Sequence, residues 1–168
     1  MTASYDDIPR EADERATLTA FLDWQRATLM RKCEGLSDEQ LRERAVPPST
    51  LSLLGLVRHM ADVERWWFRI NLTGEPVDQR YSTDEDEDGD FDNLDADDVA
   101  TVLAHWQAEC ERARSIVASH SLEDKGKNRD TGRVMSLRWT LLHMIEEYSR
   151  HNGHADLLRQ RIDGAVGY

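Results

Sequence analysis

The sequence predicts an all-α protein, a four-helix bundle, on three observations. Four long segments repeat apolar residues at helical spacing, no alternating run of β-branched residues marks a strand, and Gly, Pro or polar stretches stand where helices should stop. Helices of roughly 20–27 residues are about 30–40 Å long at 1.5 Å per residue, a length that suits one bundle core. A chain of 168 residues fits a single domain spanning 1–168.

The first helix is expected over about 10–35, with Leu18, Phe21, Leu22, Leu29 and Cys33 on one side. Ser37 and Gln40 then have capping-box spacing just before Leu41, which predicts a short capped turn. Pro47 and Pro48 block helix continuation, and Ser49 or Thr50 is expected to cap the second helix, about 51–72. That helix should bury Leu53, Leu56, Met60, Val63, Trp67 and Ile70, and Gly74 and Pro76 end it. A long acidic loop, 77–94, leads to a third helix over about 95–119, with a stripe of Val99, Val102, Leu103, Trp106, Cys110, Ala113, Ile116 and Val117. The Asp residues of its first turn suit the positive end of the helix dipole. The polar stretch SLEDKGKNRDTGR reads as a linker, and the last helix should run over about 136–162 and stop at Gly164.

Composition excludes several function classes. The chain carries 33 Asp and Glu against 21 Lys and Arg, a net charge of −12, which disfavours binding to nucleic-acid phosphates. Ten of those acids fall within 84–98, where there is no Lys or Arg, so most of the excess belongs to the acidic loop and the cap of the third helix. No apolar run is long enough for a membrane span, and the N-terminal MTASYDDIPREADER lacks the basic-then-apolar pattern of a secretory signal. Two cysteines, Cys33 and Cys110, give neither a disulfide framework nor a cysteine-rich zinc site, so a cytoplasmic setting is expected. Cys110, on the apolar stripe, reads as a small core residue.

The chemistry-bearing segment is LLHMIEEYSRHNGHADLLRQRIDG. On a helical wheel with His143 at zero, Glu147 falls near about 40°, His151 near about 80° and His154 near about 20°. All four share one arc, and His151 lies inside the apolar stripe formed by Leu137, Leu141, Met144, Tyr148, Ala155, Leu158 and Ile162. Glu147 and His151, four apart, can direct a carboxylate oxygen and an imidazole nitrogen at one point. His59, inward on the second helix, offers a third ligand from a facing helix. Two imidazoles and a carboxylate with open positions suit zinc, and ligand type alone also admits nickel, iron or manganese. Each residue also has a plainer reading: His59 as a core histidine bonded to a neighbour such as Asp62, and Glu147 with His151 as a helix-surface ion pair.

Other site types fail on the sequence. No His has a Glu three residues before it, which removes a ferritin-like di-metal centre, and HExxH, P-loop and dinucleotide motifs are absent. Residues 84–95, DEDEDGDFDNLD, follow the first half of an EF-hand calcium loop, but the twelfth residue is Asp95 and the flanks do not read as an EF-hand helix pair. This stretch reads as a solvated acidic loop.

The segments RHMADVERWWF and SLRWTLLHMIEEYSRHNGHADLLRQRIDG, with the order of helices between them, resemble the DinB-like superfamily of four-helix metalloproteins and, more closely, its actinobacterial branch. The resemblance covers most of the chain. It implies an up-down-down-up bundle in which His59, Glu147 and His151 hold a divalent metal. Many relatives have His at both ligand positions of the last helix; here one of them is Glu147, a pattern similar to that of the mycothiol-dependent maleylpyruvate isomerases. The resemblance further implies metal-dependent chemistry with a low-molecular-weight thiol, mycothiol or bacillithiol, and an electrophilic substrate: S-transfer, isomerisation or thiol-assisted hydrolysis. Arg58, Trp67, His143 and His154 would then line the pocket or hold the ligands in place, and a homodimer is expected, with Trp66 or Trp139 exposed for an interface. The alternative is a non-catalytic bundle that binds a small ligand or acts in stress response, with a structural metal or none.

Overall fold

The structure is a computed structural model that describes residues 4–167, so Met1–Ala3 and Tyr168 of the expected domain lie outside the described residues. The described residues are mostly helical, with five α-helices and one small two-stranded sheet among them. They are α1 (Glu14–Cys33), α2 (Asp38–Arg42), α3 (Leu53–Glu64), α4 (Val99–Ser119), β1 (Lys125–Lys127), β2 (Val134–Ser136) and α5 (Leu137–Asp163). Helix α3 continues without a break into a π-helical stretch, Arg65–Leu72. Helix α1 packs chiefly on α5 and α3 on α4, while α3 also reaches α5 and α1.

Each long helix buries most of the stripe its periodicity marks, although Phe21 of α1 is half-buried outside the core and Val63 and Trp67 are only half-buried against it. Leu22 and Leu29 of α1, Leu53, Leu56 and Met60 of α3, Val102, Trp106 and Cys110 of α4, and Leu137, Leu141, Met144, Tyr148 and Ala155 of α5 are all buried in one core. Side-chain caps set the starts. Asp13, Asp98 and Ser136 accept backbone N–H bonds from Ala16, Thr101 and Trp139, and Ser37 with Gln40 forms the expected capping box.

Three expectations need correction. The cap of α3 is Ser52, whose Oγ accepts from the Gly55 N–H, rather than Ser49 or Thr50, because the Ser49 hydroxyl is already bonded to the Leu51 N–H. Helix α4 starts at Val99 rather than near 95, since Asp97 is extended and a separate 3-10 turn, Leu94–Ala96, precedes it. The polar linker holds a hairpin in which Lys125, Gly126 and Lys127 pair antiparallel with Ser136, Met135 and Val134. Three-residue strands are too short to show an alternating pattern. The hairpin is held by docking: a Cβ on Gly126 would meet the Asn71 carbonyl oxygen at 2.3 Å, so only glycine lets β1 lie this close to the π-helical stretch.

The four long helical stretches are also tied by a buried polar network. Arg26 of α1 donates from Nε and Nη2 to the two oxygens of Glu64 on α3, each at 2.7 Å. The Tyr148 hydroxyl of α5 donates to Glu64 Oε1 at 2.8 Å and accepts from the Trp106 indole of α4 at 2.9 Å. Burial works against the Arg26 charge, but the adjoining Glu64 carboxylate prevails and holds its pKa well above the ordinary arginine value. None of the described helices is long and apolar enough to cross a membrane.

Candidate metal centre

The chemistry sits where the middle of α5 faces α3. One ligand atom each from His59, Glu147 and His151 lie within 4.8 Å of one another, and His151 Nε2 is 3.5 Å from Glu147 Oε2. Donor atoms at 2.0–2.2 Å around one tetrahedral ion stand about 3.3 Å apart, so the spacing is close to what a shared cation requires. The His59 and His151 rings are 4.6 Å apart between centroids. Regular helix geometry produces the arrangement: Glu147 and His151 are one turn apart on α5, and His59 lies on the face of α3 turned toward them.

His59 does not pair with Asp62. Its Nδ1 lies 2.7 Å from Oδ2 of Asp90, a residue of the acidic loop that is only 4% exposed. With Nδ1 facing that carboxylate, Nε2 is the His59 nitrogen left for a metal. The second oxygen of Asp90, Oδ1, is buried without a hydrogen-bond partner. Phe91 stacks on the His59 ring, with centroids 5.0 Å apart.

Asp62 instead anchors the loop, accepting the backbone N–H groups of Arg80, Tyr81 and Ser82 at 2.7–2.9 Å. The loop is therefore fastened to α3 at Arg80, Tyr81, Ser82 and Asp90, while Thr83 to Asp88 stay exposed, so the reading of a solvated acidic loop holds only for that part. Gly89 is required by close packing within the loop: a Cβ there would meet the Tyr81 carbonyl oxygen at 2.5 Å.

The remaining candidates divide. The His143 ring packs against the Trp67 ring at 4.5 Å and stacks on Trp139 at 4.9 Å, and its Nε2 is 3.5 Å from Glu147 Oε1. His143, Glu146 and Glu147 form a second cluster that shares Glu147 with the first. His154 Nδ1 lies 3.4 Å from His151 Nδ1. Arg58 turns to the loop: its guanidinium donates to the Asp92 carbonyl at 2.6 Å and lies over the Tyr81 ring. Trp139 is exposed, whereas Trp66 is half-buried beneath the Arg129 guanidinium.

Electrostatics keep Glu147 in ligating form. A hydrogen bond from His151 holds the Glu147 carboxyl below its ordinary pKa against the opposing effect of burial, with His143, His151 and His59 adding to the lowering, so Glu147 is a carboxylate at neutral pH. Burial, with His151 nearby, lowers the pKa of His154. The chain's own thiols are inert. Burial pushes Cys33 up to about 12 and Cys110 further, so neither supplies a thiolate near neutrality.

The sequence gives no direct sign of Asp90. Phe91, the one aromatic residue within an acidic run, is the mark that the loop folds back onto the protein.

In comparisons with known proteins, the family model described as Mycothiol-S-transferase matches residues 17–164. No curated protein matches the chain.

Proposed function

The chain belongs to the mycothiol S-transferase family, within the DinB-like superfamily, and from that membership we propose that it transfers the sulfur of mycothiol to an electrophile at a divalent-metal centre formed by His59, Glu147 and His151. The observation that carries this reading is the convergence of two imidazoles and one carboxylate from two facing helices, in a chain whose own cysteines are buried and unreactive. The reacting thiol therefore comes from outside.

A divalent cation in this donor set, zinc by preference over nickel, iron or manganese, would lower the pKa of a thiol bound to it and supply a thiolate at neutral pH. The chain's residues do the rest. Asp90 fixes the His59 ring, Glu147 supplies the negative charge, and His154 and His143 flank the two α5 ligands. Trp67 and His143 line the approach, and Arg58 serves the site through the loop it holds. In the reaction the thiol loses its proton to solvent, its sulfur bonds to the electrophilic carbon, and the leaving group departs with the bonding pair. The same reading places the site in a DinB-like four-helix bundle, up-down-down-up, occupying 1–168 as a single domain that acts in the cytoplasm as a homodimer. Mycothiol, rather than bacillithiol, is the thiol the family description favours.

The test is thiol consumption by zinc-loaded protein with monochlorobimane. Multiple turnovers with mycothiol, and far slower ones with N-acetylcysteine, are expected. No turnover with mycothiol across a panel of electrophiles would leave the non-catalytic reading. Asp90→Ala should lower zinc affinity by about 10–100-fold, the usual cost of losing the partner that orients a ligating histidine. Asp90→Asn, which keeps an accepting oxygen, should lose less, and competition with a chromophoric chelator measures both.

A further inference from the structure

Trp139, His143, Glu147 and His151 recur at every fourth residue of α5, and His59, Val63 and Trp67 do the same on the facing α3 and its π-helical continuation. Residues four apart stack along one helix face, so the track that carries the metal-type donors ends in two indoles. The Trp67 and Trp139 rings are 5.3 Å apart, both pack on His143, and His143 leads to Glu147. The eight residues from Trp139 to Glu147 span about 12 Å of helix.

At the indole end lies a cavity of about 750 Å³ between the hairpin and the start of α5. Its walls include Trp67, Trp139, Lys125, Arg133, Asn128 and Thr131, and no carboxylate lines it. In a chain with a net charge of −12, Lys125 and Arg133 are both exposed, and neither forms an ion pair among the described residues. Their neighbour Arg129, by contrast, is paired with Asp78 and covers Trp66. Two aromatic faces and two unpaired cations make a cleft suited to a flat ligand that carries negative charge.

We propose that this cleft binds the electrophilic partner of the thiol, and that the partner is an organic anion with a flat apolar body. Its body stacks on Trp67 and Trp139, its anionic group faces Lys125 and Arg133, and its reactive carbon points along His143 toward Glu147. The helix spacing sets a distance on the order of 10 Å between anion and reacting carbon. The role as electrophile rests on the S-transfer reading above.

Two experiments separate the cleft from the chemistry. Binding of biphenyl-4-carboxylate and of the isosteric, uncharged biphenyl-4-carboxamide is measured by calorimetry at low salt, where surface charges are least screened. The carboxylate should bind at least tenfold more tightly, Lys125→Glu/Arg133→Glu should abolish that preference, and Trp139→Ala should weaken both ligands. Equal affinities, absence of binding, or a preference intact in the double variant would overturn the proposal.

The second experiment offers 4′-(bromomethyl)biphenyl-4-carboxylate with mycothiol. A C–S bond forms at the benzylic carbon, the C–Br bond breaks, bromide leaves with the bonding pair and the thiol proton passes to solvent. Conjugation of this compound in preference to its carboxamide supports the assignment. Equal conjugation of both removes the cleft's role while leaving S-transfer standing. Tight anion binding without conjugation of either compound, while monochlorobimane is still conjugated, removes the electrophile role and leaves S-transfer standing; failure with monochlorobimane as well removes both.

Discussion

His151→Ala protein should retain its fold and lose at least about 100-fold in zinc affinity, more than the 10–100-fold cost of losing an outer partner, because a direct donor is gone. His151 Nε2 and Glu147 Oε2 face each other at 3.5 Å, and no other described imidazole or carboxylate shares a cluster with both His59 and Glu147. His59→Ala and Glu147→Ala should behave alike. Thermal melts distinguish ligand loss from misfolding. An ion at 100 times its dissociation constant stabilises the folded state by about 2.7 kcal/mol, which raises Tm by about 5–10 °C for a chain of this size. Wild-type protein should show that rise when zinc is added. The three variants should show little or none, while their metal-free melting temperatures stay close to that of the metal-free wild type. Mycothiol conjugation should fall with the metal.

The largest effect on stability is expected in the buried polar network rather than at the metal donors. Arg26→Met leaves Glu64, 1% exposed, with the Tyr148 hydroxyl and the weak Cys110 thiol as donors in place of a bidentate guanidinium. Breaking a buried pair by removing one partner costs about 3–5 kcal/mol, because a desolvated charge remains uncompensated. The loss should lower Tm by roughly 10 °C in a chain of this length. The double variant Arg26→Met/Glu64→Leu should recover much of that loss, since an apolar pair needs no compensation. A double-mutant cycle by chemical denaturation gives the coupling. Near-additive single and double variants would mean that the pair does not act as a unit.

The two sites differ in how far they can be read from sequence. Periodicity placed His151 inside the apolar stripe of α5 and Glu147 at its edge because a helix wheel needs only local spacing. His59 was legible for the same reason, since it lies one turn from Leu56 and Val63. Arg26 and Glu64 were not. A single charged residue beside an apolar stripe looks the same whether it meets water or a partner, and these partners are 38 residues apart on different helices. Asp90 escaped because an irregular loop has no period, so nothing local distinguishes the one carboxylate that turns inward from its neighbours. The hairpin escaped because docking against Asn71 and Leu72, rather than strand propensity, holds it in place. Ser52 is not distinguishable as the cap from Ser49 or Thr50 by residue type, and the helix begins only at Leu53.

The central claim, that His59, Glu147 and His151 share one divalent cation, is tested most directly by anomalous diffraction at the zinc edge from crystals of zinc-loaded protein. One peak should lie between α3 and α5, within about 2.0–2.2 Å of His59 Nε2, a Glu147 oxygen and an imidazole nitrogen of His151. Zinc found only on the acidic loop, or no peak between the helices in protein saturated with metal, would contradict it.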